Sequence, residues 1–358
     1  MQDNLDEIIK KMVSSYEKNN AIVSNIKKTD FTKERNIYNL EENIIENIDV
    51  NKNQNFSFAG TDSGFVNKQF NFANITIIKE AGAVFRYKDS KLEKTIYYPN
   101  SYNLAKPYLT TSSLELEEVM WNTSILRLEK EVSLSSKIIE NEEIKFMLLD
   151  GSIIPQYISR PTEGSKLFKS YNDLLDKFYN LYNLSKNKNV FLVGCIEDSR
   201  ANLFYKFIEN KILNKHNISE IYDSFFVFSL LKKNQRTCVI KYTDSYKEHP
   251  ILKDYPKEFA DNLYVMYLKL SEDDYPLRLE FIYFKEFGLS LKEYTDFIAS
   301  NISSVSAFNP KYVYPSCLIE ADLRSRLKPD EIDSITRSIF ERTKFYGFRL
   351  FRRESRIF

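Results

Sequence analysis

The chain is poor in the residues that most metal and covalent chemistry relies on. Its 358 residues include two histidines, His216 and His249, and three widely spaced cysteines, Cys195, Cys238 and Cys317. Histidine-rich zinc sites and a His-based nucleophile triad therefore have little material. The odd, unclustered cysteines form no C-x-x-C motif and no disulfide framework, which suits a reducing cytoplasm. A lone tryptophan, Trp121, offers little for stacking on sugars. Net charge is only +1, so any nucleic-acid contact must come from a local patch and not from a bulk field. No apolar run approaches a membrane span, and the acidic start Met1-Gln-Asp-Asn-Leu-Asp is unlike a signal peptide. Internal repeats and Pro/Gly/Ser-rich linkers are also missing. The expectation is a cytoplasmic protein without a membrane segment: a helix and linker over 1–54, then one catalytic unit over 55–358.

Two short blocks stand out against this background. Phe58-Ala-Gly-Thr-Asp62-Ser-Gly64 and Phe146-Met-Leu-Leu-Asp150-Gly-Ser152 each carry an apolar run that meets an Asp, with Gly and Ser close behind. The runs read as buried strands, and Gly and Ser read as turns that end them. An Asp at the end of a buried strand opens onto a crevice. Two such carboxylates in one domain repel each other unless a divalent cation or a shared proton relieves them. The alternative is that each Asp simply caps a turn or the next helix.

Periodicity supplies the frame. Leu5, Ile8, Ile9, Met12, Val13 and Tyr16 form an apolar stripe at helical spacing, which either packs on a neighbour or serves a partner. Four strand-like runs between Phe56 and Tyr98, divided by Asp-Ser-Gly, Glu-Ala-Gly and Lys-Asp-Ser-Lys, read as an antiparallel meander. A capping-type start at Ser112 opens a long helix towards Glu140, followed by strands at 146–150 and 189–194 and helices at 165–184 and 199–213. Strands are expected at 225–231, 237–242, 263–270 and 277–283, and helices at 289–300 and 329–346. The order argues for an α/β sheet with helices on its faces.

Acids on the long helix bear on the chemistry. Among Glu115, Glu117, Glu118, Glu129 and Glu131, the last flanks the expected buried stripe of Ile125, Leu128, Val132, Ser135 and Ile139. Carboxylates from two strands and one helix would make an all-oxygen site suited to Mg²⁺ or Mn²⁺. The matching reaction class is metal-assisted phosphodiester hydrolysis.

Five blocks in order resemble the NurA nucleases: Ala59-Gly-Thr-Asp62-Ser-Gly-Phe, Leu148-Leu-Asp150-Gly-Ser152, Leu192-Val-Gly-Cys-Ile-Glu-Asp198-Ser-Arg200, Tyr314-Pro-Ser-Cys-Leu318 with Ala321, and Arg352-Arg-Glu-Ser-Arg356. The resemblance runs from about residue 55 to the C-terminus. It implies an α/β fold with an RNase H-like (PIWI-like) core: a mixed sheet flanked by helices, plus an N-terminal helix and C-terminal additions. It also implies a ring-shaped homodimer that degrades DNA with Mn²⁺ or Mg²⁺, two ions per site. The activity implied is 5′–3′ exonuclease and single-strand endonuclease, in DNA end resection with a HerA-like hexameric ATPase. By the same resemblance Asp62, Glu131 and Asp150 are metal ligands, with Glu129 the other helical possibility, and Tyr314 is a site residue.

The chain leaves that pattern at two positions. Asp322 follows Ala321 where the family has His, and Glu197 stands where the family often has Lys. Asp322 either ligates metal or caps a helix starting at Leu323. DNA contacts are expected from Arg200, Arg324, Arg352 and Arg353. Near the last two, Arg342, Lys344, Arg349 and Arg356 interleave with Phe345, Tyr346, Phe348 and Phe351. Packing of those aromatics on the core is the plain alternative. The two departures also leave open a catalytically impaired DNA-clamping or regulatory subunit.

Overall fold

The computed structural model describes residues 2–28, 41, 43–70, 73–100, 102–111, 114–211, 221–306, 309–343 and 350. In chain order the elements are α1 (Gln2–Lys28), β1 (Ile45–Asn47), β2 (Ser57–Gln69), β3 (Asn74–Lys88), β4 (Lys91–Tyr98), β5 (Lys106–Thr110), α2 (Leu116–Asn141), β6 (Phe146–Asp150), α3 (Phe168–Asn187) and β7 (Phe191–Ile196). They continue with α4 (Leu203–Lys211), α5 (Asp223–Leu230), β8 (Gln235–Thr237), β9 (Ile240–Lys241), α6 (Lys257–Ala260), β10 (Leu263–Lys269), β11 (Leu277–Ile282), α7 (Leu291–Ser306), α8 (Ser316–Ser325) and α9 (Pro329–Thr343). These residues fall into two compact units. The first is Met1–Asn51, Cys195–Asp244 and Asn262–Tyr314; the second is Lys52–Gly194, Ser245–Asp261 and Pro315–Phe358. Among the described residues no helix is long and apolar enough to cross a membrane.

The second unit is built on β2. That strand pairs antiparallel with β3 along its whole length and parallel with β6, while β4 and β5 both pair with β3. The strand order is β4-β3-β2-β6-β7, the arrangement of an RNase H-like (PIWI-like) core. Stacked rings tie its centre together: Phe58 lies 4.7 Å from Phe146, and Phe146 lies 5.3 Å from Phe191. Burying rings of this size stabilises the fold by about 1.5–3 kcal/mol each. Pleat alternation divides β2 between two helices. Thr61 bonds Ser135 of α2 at 2.8 Å, and Asn67 bonds Thr123 of α2 at 2.9 Å. On the opposite face Gly60 and Gly64 lie against α8. Further along that face, Lys79 of β3 reaches Glu331 of α9 at 2.9 Å.

Asp62-Ser-Gly64 and Glu80-Ala-Gly82 are not turns, as the sequence suggested. Both lie inside long strands of 13 and 15 residues. Gly60 and Gly64 are there for close approach. A Cβ on Gly60 would sit 2.9 Å from the backbone of Cys317, and one on Gly64 2.5 Å from the Ser325 carbonyl. Asp62 is therefore mid-strand, and only Asp150 ends its strand as expected. Gly151 does turn the chain, with φ +116° that disfavours any side chain.

The first unit holds an antiparallel set, β1-β8-β10-β11, with β9 also paired to β10. Residues 225–231, expected as a strand, are mostly helix α5. A short continuous apolar run does not separate the two states by period, and burial of Phe226, Val227 and Leu230 follows helical spacing. Val23 and Ile26 at the end of α1 pack into the same cluster as Phe226 and Val227. Earlier on α1, Tyr16 meets Phe225 edge-on at 5.6 Å, while Leu5, Ile8, Ile9, Met12 and Val13 stay exposed. The helix thus packs through its C-terminal end, beyond the stripe, while the stripe itself is exposed apart from the edge contact of Tyr16.

Candidate active site

The parallel pairing of β2 with β6 sets the geometry. Thr61 is opposite Leu149, which leaves Asp62 and Asp150 as neighbours one residue further along. β6 stops there, so the two aspartates stand where the sheet opens. Asp62 accepts a short hydrogen bond from the hydroxyl of Ser325, at the end of α8. Ser325 also lies 3.0 Å from the carbonyl of Asp322 on the same helix. Its hydroxyl fixes the orientation of Asp62 in the way outer partners fix metal-ligating carboxylates.

Glu131 comes from the other face. Only 4% exposed, it sits on the core stripe of α2 and turns its Oε2 to two donors. Ser63, the residue after Asp62, donates at 2.8 Å, and Arg127, one turn earlier on α2, donates at 3.0 Å. Burial pushes the Glu131 carboxyl up to about 7; Arg127 opposes this, and the charges of Asp62 and Asp150 add to it. Three acids thus lie within electrostatic reach of one another. Their side chains are held apart, and among the described residues no group of three or more His, Cys, Asp or Glu is close enough to grip an ion as placed. The donor set fits a hard divalent cation nonetheless: it is all carboxylate, drawn from two strands and a helix. Its mutual repulsion is the load that such a cation relieves.

Other sequence candidates fall elsewhere. Glu129 is paired with Lys177 at 2.8 Å and Lys130 at 3.6 Å, so the helical acid sharing the electrostatics of the aspartates is Glu131. Asp322 lies inside α8, which starts at Ser316, and so caps no helix; its carboxylate is paired with Arg326 at 2.7 Å. Tyr314 is buried and donates to the Cys195 carbonyl at 3.0 Å. Glu197 accepts from the Tyr312 hydroxyl at 2.6 Å. Arg324 is held by Glu320 at 2.7 Å and lies 3.3 Å from the centre of the Tyr97 ring, whereas Arg200 is exposed. Arg352 and Arg353, with Lys344, Phe345, Tyr346, Phe348, Arg349, Phe351 and Arg356, lie outside the described residues, while Arg342 is exposed in the last turn of α9.

Three contributors were missed in the sequence. Arg127 could have been found from its i, i+4 spacing to Glu131. Ser63 could have been found from strand alternation beside Asp62. Ser325 carries no local signal, because it meets Asp62 across 263 positions of chain.

Comparison with known proteins agrees with this topology. A family model described as the NurA domain matches residues 56–311. The crystal structure of the NurA nuclease from Sulfolobus solfataricus is similar over 96% of this chain and 98% of its own, at 14% identity and a TM-score of 0.59. A second NurA crystal structure is similar over 95% and 97%, at 8% identity and a TM-score of 0.54. A third, of NurA bound to dAMP and manganese, aligns over 92% and 94% at 11% identity and a TM-score of 0.47. No curated protein matches the chain.

Proposed function

The chain belongs to the NurA family, and from that membership we propose that it is a metal-dependent deoxyribonuclease. The observation that carries the proposal is the register of β2 on β6, which puts Asp62 and Asp150 side by side within electrostatic reach of buried Glu131. These three would hold Mn²⁺ or Mg²⁺, two ions in the full site. Bound divalent ions supply an activated water and charge stabilisation for the leaving 3′-oxygen of a phosphodiester. The protein's own part is positioning. Ser325 orients Asp62, Ser63 orients Glu131, and Arg127 balances part of the buried negative charge. Asp322, released from Arg326, would add a fourth carboxylate; Tyr314 enters on the family resemblance alone.

The finer assignment follows the same resemblance. It comprises 5′–3′ exonuclease and single-strand endonuclease activity in DNA end resection, a homodimer, and a HerA-like hexameric ATPase as partner in the cytoplasm. The exposed stripe from Leu5 to Val13 on α1 is the surface we assign to dimer or partner. Arg200, Arg324, Arg352 and Arg353 are the DNA contacts in this proposal. A second reading, a catalytically impaired clamp, draws on the pairing of Asp322 with Arg326 and of Glu197 with Tyr312, at the two positions that leave the family pattern.

Digestion of end-labelled DNA with Mn²⁺ decides between them. The wild type should cleave, and Asp62→Asn and Asp150→Asn should each lose roughly 100-fold or more of the rate with melting temperature unchanged. A well-folded wild type that binds DNA without cutting it would favour the clamp.

A further inference from the structure

We propose that Arg127 is the resident counter-cation of this site, occupying the place on Glu131 that a divalent ion takes, so that metal loading and release of Arg127 are one exchange. The inference rests on the metal-site reading above and names how that site is governed. A buried carboxylate needs either a proton or a counter-charge. The Glu131 side chain is 5% exposed, and the cation that reaches it is Arg127, at 3.0 Å on Oε2. The helix alone gives little reason for the pair: Arg before Glu at i, i+4 is the less favourable order. The pair instead faces the sheet. Arg127 NH1 lies 3.4 Å from the Ser63 hydroxyl, which donates to the same Oε2, so the guanidinium sits at the seam of α2 and β2, beside the residue that follows Asp62.

Two cations compete for that spot. A divalent ion on Glu131 Oε2 needs the lone pair at which Arg127 points, and two positive charges a few ångströms apart in a poorly screened pocket repel strongly. At 25% exposure the Arg127 side chain has a way out towards solvent, which the buried Glu131 lacks. Arg127 therefore offsets the buried Glu131 charge before loading and opposes the ion that replaces it.

The test titrates Mn²⁺ into the full chain without DNA, comparing wild type, Arg127→Gln, Arg127→Lys and Asp150→Asn. Arg127→Gln should bind Mn²⁺ about three- to tenfold more tightly at low salt, and Arg127→Lys about as wild type. Without metal, Arg127→Gln should melt below wild type, and the gap should close at saturating Mn²⁺. If Arg127→Gln folds poorly, Mn²⁺ should rescue it. Equal or weaker binding by Arg127→Gln, a gap that Mn²⁺ does not close, or no rescue would overturn the exchange. Asp150→Asn separates the two levels: wild-type binding lost in Asp150→Asn upholds the site whatever Arg127 does. Wild-type binding that survives in Asp150→Asn would sink the site itself.

Discussion

Around Arg236 the chain buries a cation between two carboxylates; around Glu131 it buries a carboxylate with one guanidinium and two further acids nearby. Arg236 is fully buried in the first unit, and its guanidinium forks onto Glu41 and Asp296. Burial works against the Arg236 charge, and the two carboxylates overcome it and hold its pKa up. Lys292 then bonds Asp296 at 3.1 Å and lies 3.5 Å from Glu46. Glu41 takes a further bond from the Val239 amide at 2.7 Å. In the second unit one guanidinium, Arg127, bonds Glu131 while Asp62 and Asp150 add like charge. The difference is between a cation held by two carboxylates and a carboxylate held by one guanidinium with two further acids nearby, the arrangement that the proposed metal site would use. A buried carboxylate whose pKa is raised beside like charges is the pattern that recurs at functional sites.

The two regions should respond to neutralisation in opposite directions. Glu41→Gln leaves Arg236 buried with one carboxylate partner and should cost about 3–5 kcal/mol, read as a loss in denaturant midpoint. Asp150→Asn removes repulsion from Glu131 and should leave stability unchanged or raised. Equal losses from the two substitutions would erase the distinction.

A smaller effect is expected from pH. The folded chain holds the Glu131 proton to about pH 7, against 4.5 for an ordinary glutamate. Between those values folding takes up a proton, so the metal-free fold is weakened as pH rises. The Glu131 contribution is intact below the lower value and lost above the upper one, on the order of 3 kcal/mol at most. Melts in EDTA from acid to neutral pH should show this slope, and Glu131→Gln should flatten it. An unchanged slope in Glu131→Gln would mean that another group titrates there.

The placement of two of the three candidate acids is legible because they carry local patterns. Asp150 ends a run of buried residues, and Glu131 flanks an apolar stripe with helical period; both readings need only near neighbours. Asp62 was identified but misplaced. Gly64 carries the local signature of a turn, whereas both it and Gly60 admit α8, which lies some 250 residues later and has no local signature near Asp62. The same long range hid Ser325. The α/β class and the opening antiparallel meander follow from the alternation of strand and helix signals, while 225–231 fails because a short apolar run has no distinguishing period.

The most direct measurement is anomalous diffraction from crystals of the full chain soaked in Mn²⁺. The account predicts a manganese peak bound by Asp62 and Asp150, with Glu131 turned towards it and Arg127 withdrawn from Glu131. A fully soaked crystal with no peak among these three acids, and Arg127 still bonded to Glu131, would contradict it.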